Sequence, residues 1–401
     1  MRRNNLLVIT PVIPRNLFGG EQIYTYNLYR ALSRYLDITL VGNEDPVTSG
    51  LQLDWVKEIV AVKMTRMAKH WSVLSLYPSA IFQFYSGEIK LALQGLINSG
   101  KQYDAIVCNS YLMYRAAKYF MDNYEKKWGS RIPTLLVTHN AEAMARLGLA
   151  ERGRHFLVRS ALHWDAKKIK WHEMQALKSF DEVTAITPDD AAYMRRIVGR
   201  EVLAVVPGYD GIRLANHMIT RKTKRQAIVL GSFLWEAKRQ NILDLVQAAF
   251  EHFTRANITL KIVGMAPASL IEAMKAFPFV EITGAVDSFE EYLLESRIAI
   301  IAEGVGGGFK LKSLDYIFHK IPMAILNGST LGVPLSPGKN FFGYDTVDEL
   351  AEGIVREIDN LDKLNDMATA SYHACENSFD WDSRAQSLND LIERLVRQHT
   401  R

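Results

Sequence analysis

The stretch RIAIIAEGVGGGFKLKSLDYIFHKIPMAIL, residues 297–326, decides the fold. Its two ends are short apolar runs, which are typical of parallel strands that are buried on both faces. Between these runs lie three consecutive glycines and then a stretch with helical spacing, from about Ser313 to His319. The order strand, glycine turn, helix and strand predicts one repeating unit of a doubly wound α/β domain.

The same order of elements recurs along the chain, in two successive halves. In the first half, apolar runs predict strands at residues 4–10, 37–42, 58–62, 104–108, 134–138 and 182–186. In the second half, strands are predicted at the start of KRQAIVLGSF and at residues 258–264, 280–286, 297–303 and 321–326. A polar, turn-rich segment, residues 205–226, is predicted to link the halves, and FDWDSRAQSLNDLIERLVRQ predicts a final amphipathic helix. We predict two Rossmann-like domains, residues 1–207 with the last helix at 380–401, and residues 208–379.

Composition narrows the class of protein. With 48% apolar and 23% charged residues in 401, the chain has the composition of a globular protein, and its net charge of +4 is too small to indicate nucleic-acid binding. Its two cysteines, Cys108 and Cys375, form neither a disulfide framework nor a zinc-spaced cluster, which favours a reducing compartment. The basic and apolar start is interrupted by Pro11 and Pro14, so we interpret it as a buried strand rather than a signal peptide. The sequence lacks an apolar run long enough for a transmembrane helix, and we expect a cytoplasmic protein.

The glycine turn is suited to hold a diphosphate. Glycines permit a close approach of the backbone, amides at a helix N-terminus bind anions, and Lys310 and Lys312 add positive charge. The turn also follows a strand directly, and ligands of open α/β sheets bind outside the carboxyl ends of the strands. The alternative is a flexible turn with two solvated lysines. Neither half has the G-x-G-x-x-G or G-x-x-x-x-G-K-[ST] pattern, which argues against a dehydrogenase and a P-loop NTPase.

Several stretches, in order along nearly the whole chain, resemble one known family. They are ITPVIPRNLFGGEQIYTYNLYRAL, LLVTHNAE, FDEVTAITPDD, VVPGYD, LKIVG, VEITGAVDSFEEYL and GGGFKLKSLDYIFHKIPMAI. Together they resemble GT-B glycosyltransferases, and most closely the retaining glycosyltransferase family 4. The resemblance implies two Rossmann-like domains that face a cleft, with the C-terminal helix crossing back to the N-terminal domain.

The resemblance also implies an activity. It would be the transfer of a hexosyl group, with retention, from a UDP- or GDP-linked sugar to a glycan or lipid-linked acceptor in bacterial surface polysaccharide or glycoconjugate synthesis. The N-terminal domain would bind the acceptor and the C-terminal domain the donor. Neither a metal nor a cofactor is implied, because helix dipoles and cationic side chains would stabilise the departing diphosphate. The donor's own phosphate oxygen would accept the proton of the attacking hydroxyl in a front-face attack.

The functional residues of the family are only partly matched in this chain. Asp315 matches a glutamate that holds the donor ribose, whereas Gly307 stands where the family has another glutamate; Glu303, just upstream, is the candidate substitute at a different spacing. Lys238 matches a lysine that contacts the diphosphate, although it could also be a surface lysine beside Arg239. The implied donor-binding residues are Gly20, Ser232, Lys238, Val286, Gly307, Gly308, Phe309, Lys310, Leu311, Lys312 and Asp315. Val286 would meet the base through its backbone.

The implied catalytic residues are His139, Lys238 and Glu303, and the implied acceptor-side residues are Gly19, Gly20, His139 and Asn140. The alternatives are a structural role for His139 and a plain loop-to-helix turn at the two glycines.

Two segments combine aromatic and basic residues. Residues 152–173 are basic and contain Trp164 and Trp171, and residues 69–86 are strongly aromatic. We expect a weak contact with an anionic membrane, on the inner face of the cell membrane. The alternative is that both segments pack into the core.

Two other functions remain open. A GT-B-fold subunit that binds glycans or activates a partner without catalysis would explain Gly307 and Asp315. A GT-B epimerase that acts on nucleotide sugars would need a pair of carboxylate bases, which the sequence does not place.

Overall fold

The computed structural model describes residues 3–17, 19–44, 50–64, 75–151, 156–303, 308–329 and 332–399. The chain divides into two compact units. Unit 1 comprises Met1–Gly208 and Asp380–Arg401, and unit 2 comprises Tyr209–Phe379.

Unit 1 is built on a seven-stranded sheet in which the strand order is β3-β2-β1-β4-β5-β6-β7 and all neighbours are parallel. The strands are β1 Asn5–Val12, β2 Asp37–Glu44, β3 Glu58–Lys63, β4 Ala105–Asn109, β5 Thr134–Val137, β6 Glu182–Ala185 and β7 Leu203–Ala204. The order reverses between β1 and β4, so the topological switch point of unit 1 lies between these two strands.

The apolar run of β1 is buried on both faces. Leu6, Leu7, Val8 and Ile9 are at most 1% exposed, as expected for a central strand of a parallel sheet covered by helices. The helices of unit 1 are α1 Gly20–Leu32, α2 Ser79–Phe84, α3 Gly87–Asn98, α4 Tyr114–Trp128, α5 Glu142–Glu151, α6 Phe156–Ser179, α7 Pro188–Val198 and, at the end of the chain, α14 Trp381–His399.

The C-terminal helix α14 packs on α1 of unit 1. The rings of Tyr24 and Trp381 lie 5.8 Å apart, and Arg34 pairs with Asp382. The predicted return of the last helix to the N-terminal half is therefore confirmed.

Unit 2 has a six-stranded parallel sheet with the order β10-β9-β8-β11-β12-β13. The strands are β8 Lys224–Leu230, β9 Thr259–Val263, β10 Val280–Ile282, β11 Ser296–Ile301, β12 Met323–Leu326 and β13 Phe342–Tyr344. The helices are α8 Glu236–Ala256, α9 Ala268–Met274, α10 Glu290–Leu294, α11 Lys312–Phe318, α12 Val347–Glu357 and α13 Leu361–Cys375. The switch point lies between β8 and β11.

Three glycines fix the loops at the carboxyl ends of β8, β9 and β10. Gly264 has φ +129°, and a Cβ placed on it would lie 1.9 Å from the carbonyl oxygen of Gly231. Its own N–H donates to the carbonyl of Gly284 at 3.0 Å. Only glycine permits this close approach, which fixes the start of the loop between β8 and α8.

The segment predicted to link the two halves is mostly part of unit 2. Arg213 donates to the carbonyls of Glu376 and Ser378, at 2.7 and 3.2 Å. This arginine therefore ties the segment to the backbone of unit 2, whereas Arg221 and Lys222 of the same segment are exposed.

The two chain crossings between the units involve neighbouring residues. In unit 2, the N–H of Tyr209 donates to the carbonyl of Phe379 at 2.8 Å. In unit 1, a Cβ placed on Gly208 would lie 2.5 Å from the indole of Trp381.

Candidate functional site

A small pocket lies at the switch point of unit 2, where β8 and β11 end. It is lined by Val229, Leu230, Gly231, Phe233, Lys238, Asn241, Ile242, Leu245, Ala302, Glu303 and Lys312. The fold thus brings Lys238 together with Glu303 and Lys312, two residues that the sequence analysis selected from a different segment.

Glu303 is the centre of this pocket's charges. Its carboxylate lies 2.5 Å from the ammonium nitrogen of Lys312 and 3.3 Å from that of Lys310, and all three side chains are at most 14% exposed. Burial by itself raises the pKa of Glu303, but the charges of Lys312, Lys310 and Lys238 outweigh it and hold that pKa far below its ordinary value. We call these four residues the Glu303 cluster. With three lysines and one ionised carboxylate, it carries two positive charges in excess.

Lys238 lies in the first turn of α8, not in the preceding loop, and is half-buried. Burial lowers the pKa of Lys238; the Glu303 carboxylate opposes this, and the two other lysines lower the pKa further. An anion bound beside Lys238 would raise this pKa again, because its negative charge favours the protonated ammonium group. These surroundings differ from those of a solvated surface lysine.

The glycine turn is described only in part. Residues 304–307 lie outside the described residues, and the predicted position Gly307 is among them. Gly308 is buried with φ +74°, and the ring of Phe309 lies 5.9 Å from that of Phe379. The Lys310 carbonyl then accepts from the N–H of Ser313 at 2.8 Å, which starts the seven-residue helix α11.

Because α11 has only about two turns, we assign the positive potential of this edge mainly to the lysines and not to a helix dipole. Leu311 is the N-cap residue of α11 and is half-buried.

Asp315 lies in the first turn of α11. Burial raises its pKa to about 7, a hydrogen bond from Tyr209 opposes the rise, and the charge of Glu290 adds to it. Burial therefore makes this carboxyl group much easier to protonate than an exposed aspartate. Its surroundings differ from those of the always ionised Glu303.

Ser232 and Val286 lie at the same edge of the unit 2 sheet. Ser232 follows β8, Val286 follows β10, and both are half-buried. The described donor-side candidates of unit 2 thus lie on the loops and first helical turns that follow its parallel strands.

In unit 1, His139 follows β5 and is 9% exposed. Its Nε2 lies 3.1 Å from the side-chain oxygen of Asn109, the last residue of β4. Burial lowers the pKa of His139 to about 4, so its imidazole is neutral at physiological pH. The ring of Tyr24 contacts it edge-on at 5.4 Å.

Asn109 is a site residue that the sequence analysis missed. It holds His139 and also receives a hydrogen bond from the hydroxyl of Tyr29 at 3.1 Å. The signal that could have found it is a buried polar residue directly after a predicted apolar strand.

The remaining acceptor-side candidates have different surroundings. Gly19 is the N-cap of α1, its φ is −139°, and a Cβ placed on it meets nothing within 4 Å. The fold therefore does not require glycine there. Gly20 is exposed as the first residue of α1, and the amide of Asn140 donates to Glu142 at 2.9 Å.

Among the described residues, no group of three or more histidine, cysteine, aspartate or glutamate side chains is placed to hold a metal ion. Within the same part of the chain, no helix has the length and apolar character needed to cross a membrane.

Comparison with solved structures identifies the architecture. Anabaena Alr3699/HepE in complex with UDP and glucose matches with a TM-score of 0.66 at 11% identity, over 98% of this chain and 100% of that chain. The lipopolysaccharide outer core galactosyltransferase WaaB, in its apo form, matches with a TM-score of 0.60 at 12% identity, over 97% and 99%. The pneumococcal O-GlcNAc transferase GtfA, in complex with UDP and GlcNAc, matches with a TM-score of 0.63 at 9% identity, over 99% and 100%.

The chain has the GT-B fold. No family model and no curated protein sequence matches the chain. At these identities the likeness establishes the fold alone, and the narrower resemblance to family 4 stays a prediction.

Proposed function

We propose that this GT-B protein is a glycosyltransferase that moves a sugar from a nucleoside-diphosphate donor to a glycan or lipid-linked acceptor. The observation that carries the proposal is the Glu303 cluster, which places two excess positive charges at the switch point of unit 2. A diphosphate carries about two negative charges and complements it. HepE in complex with UDP and glucose, which shares the fold, supports the same donor class.

The chemistry follows from the charges. When the sugar leaves, negative charge grows on the diphosphate, and cationic groups fixed beside it stabilise the transition state. Lys238, Lys310 and Lys312 supply these charges, and Glu303 holds two of them in place. Because its pKa is so low, Glu303 stays ionised and does not act as an acid. Retention, a hexosyl group, front-face attack and membership of family 4 are parts of this proposal that rest on the motif resemblance.

The second candidate is a GT-B subunit that binds a glycan or activates a partner without catalysis. The observations that favour it are in the sequence, where Gly307 and Asp315 stand at positions that are glutamates in the resembling family. The two candidates differ in one measurable property, since only an enzyme hydrolyses a nucleotide sugar slowly in the absence of acceptor.

Thermal shift against UDP-glucose, UDP-galactose, UDP-N-acetylglucosamine and GDP-mannose tests donor binding. At 100 times the dissociation constant, a ligand stabilises the folded state by about 2.7 kcal/mol, which raises the midpoint of a domain this size by roughly 5–10 °C. We expect one of the four sugars to do so, and release of the free nucleotide to follow on incubation. Binding without release would favour the non-catalytic subunit, and no shift with any UDP- or GDP-linked sugar would contradict the proposed transferase.

We also propose that one face of α6 makes a weak contact with an anionic membrane. Trp164 and Trp171, seven residues apart on this helix, are 50% and 58% exposed. The exposed charged side chains described on α6 are all cationic: Arg159, Lys167, Lys170 and Lys178. We call these residues and the two tryptophans the α6 face.

The acidic residues of α6 are turned away from this face. Asp165 accepts from the N–H and hydroxyl of Ser79, each at 3.0 Å, and Glu173 accepts from the N–H of Glu142 at 2.8 Å. A surface that combines tryptophan with unbalanced lysine fits the headgroup region of an anionic bilayer. The part of the 69–86 segment that is described, residues 75–86, packs partly against α6, and its Leu76 is 82% exposed.

Sedimentation with vesicles of phosphatidylglycerol and phosphatidylcholine tests the membrane contact. Each lysine near an anionic surface contributes about 1 kcal/mol, so Lys167→Glu with Lys170→Glu should weaken binding at low salt by at least about 30-fold. The matched control is Lys222→Glu with Lys275→Glu, two exposed lysines of unit 2. High salt should abolish the binding by screening. If the unaltered protein does not sediment with these vesicles at low salt, the contact does not exist.

A further inference from the structure

His139 has one ring nitrogen that the described residues leave without a hydrogen bond. Its Nδ1 is buried, and the polar atom recorded beside it is the carboxylate oxygen Oε1 of Glu21, at 3.6 Å. That separation is longer than a hydrogen bond. Glu21 belongs to the first turn of α1, directly after the two glycines, and about half of its side chain is exposed.

The hydrogen bonds of Asn109 determine which nitrogen of His139 carries the proton. The hydroxyl of Thr10 donates to the Val12 carbonyl at 3.3 Å, so it must accept from the Nδ2 of Asn109 at 3.2 Å. The same Nδ2 donates to the hydroxyl of Thr25 at 3.0 Å. The amide group of Asn109 is thereby fixed with its Oδ1 toward His139.

Because Oδ1 of Asn109 can only accept, Nε2 of His139 must donate to it. Neutral imidazole has one N–H, so Nδ1 of His139 carries a lone pair and is an acceptor. The carboxylate of Glu21 is an acceptor as well. When Glu21 is ionised, two acceptors therefore face each other at 3.6 Å, and neither can satisfy the other.

The place of this pair in the fold indicates what the missing donor is. His139 and Glu21 follow β5 and β1 at the carboxyl edge of the unit 1 sheet, and Asn109 ends β4 at the switch point. A sugar presents hydroxyl groups on adjacent carbons, and each is a hydrogen-bond donor. Two neighbouring acceptors, one buried and one partly exposed, complement such a pair of hydroxyls.

We propose that Nδ1 of His139 and Oε1 of Glu21 together accept hydrogen bonds from hydroxyl groups of the sugar substrate, which makes Glu21 a substrate-binding and specificity-determining residue. The inference rests on the proposed function, and it adds a residue that the sequence motifs did not single out. The competing role for Glu21 is that of a first-turn acid that stabilises α1 through the helix dipole. That role predicts a change in stability and no change in substrate capture.

The variant Glu21→Gln separates the two roles. The glutamine amide can itself donate to Nδ1 of His139. That nitrogen is then no longer free to accept a hydrogen bond from a sugar hydroxyl, and the charged acceptor of Glu21 is lost as well. Desolvation by the surrounding protein and then the charge of Glu142 raise the pKa of Glu21 to about 7, so the assays are run at about pH 8.5, where the carboxylate is ionised.

We expect Glu21→Gln to raise the KM for whichever of the four nucleotide sugars the protein uses by at least tenfold, since a hydrogen bond to a charged group contributes about 1.5–3 kcal/mol. The thermal midpoint should change little. Glu21→Asp, which keeps the carboxylate, should recover part of the loss. The matched control is Asp382→Asn, a first-turn acid of α14 in the same unit with similar exposure, which should leave the KM unchanged.

A second measurement is independent of turnover. In the full chain labelled with ¹⁵N-histidine, NMR should show Nδ1 of His139 without a proton, and the signal should shift when UDP-glucose, UDP-galactose, UDP-N-acetylglucosamine or GDP-mannose binds. A protonated Nδ1, or an unchanged KM in Glu21→Gln, would overturn the inference while donor binding to unit 2 stands. Failure of all four sugars to bind would instead count against the proposed function. The protonation state of Nδ1 would still show whether His139 presents a hydrogen-bond acceptor beside Glu21.

Discussion

Replacing Lys238 by alanine is expected to lower the rate of sugar transfer, or of donor hydrolysis, by about 100- to 1,000-fold. Lys238 is one of three lysines around Glu303, and its loss reduces the excess charge of the Glu303 cluster from two to one. Charge that develops on the departing diphosphate would then be stabilised less, whereas the ground state of the donor would be affected weakly. The effect should therefore appear mainly in kcat, measured by release of the nucleotide.

The control for this variant is Lys275→Ala. Lys275 is exposed and pairs with Glu272 on the surface of unit 2, so its loss should leave the rate unchanged. A Lys238→Ala protein that folds normally and turns over at the original rate would remove Lys238 from the donor site.

Replacing Glu303 by glutamine is expected to destabilise unit 2 by about 3 kcal/mol at neutral pH. The three lysines would then face one another with no anion between them, while Lys310 and Lys312 are largely shielded from solvent and Lys238 is half-buried. A bound diphosphate would supply the missing negative charge. UDP should consequently raise the unfolding midpoint of Glu303→Gln by more than it raises that of the unaltered protein.

The same variant should alter the dependence of stability on pH. The pKa of Glu303 is lowered in the folded state, so its stabilising contribution is fully present above the unfolded value of 4.5 and is lost as the pH falls below it. The unaltered protein should thus lose more stability between neutral pH and about pH 3 than Glu303→Gln does. Denaturant unfolding at both pH values measures this, with the exposed pair member Glu272→Gln as control. An identical pH dependence in both proteins would show that the lysines do not lower this pKa.

The sheets could be predicted from sequence to a large extent. Every predicted strand is present, because apolar runs such as that of β1 have no alternative but burial between two layers of helices. The strands that were missed, Leu203–Ala204 and Phe342–Tyr344, have two and three residues. Both are edge strands, and they form by pairing with β6 and β12.

The candidate site was predictable only where its residues belong to one local segment. Lys310 and Lys312 follow the glycines directly, and the structure places them at the switch point. That Lys238 joins Glu303, that Asn109 orients His139, and that Glu21 faces that histidine all depend on contacts between separate elements. Local patterns contain no information on such contacts.

The hydrogen bond between Tyr209 and Phe379 joins the first and last residues of unit 2, so the two units can be separated by cutting the chain at two neighbouring places. Residues 209–379 form one continuous segment whose two ends are adjacent. The two ends of unit 1 that flank this segment are adjacent as well, because Gly208 lies beside Trp381. Along the chain, unit 2 is thus an insertion in unit 1. Joining residues 208 and 380 by a short glycine–serine linker should leave a unit 1 that folds independently, and residues 209–379 expressed alone should retain the pocket around Glu303.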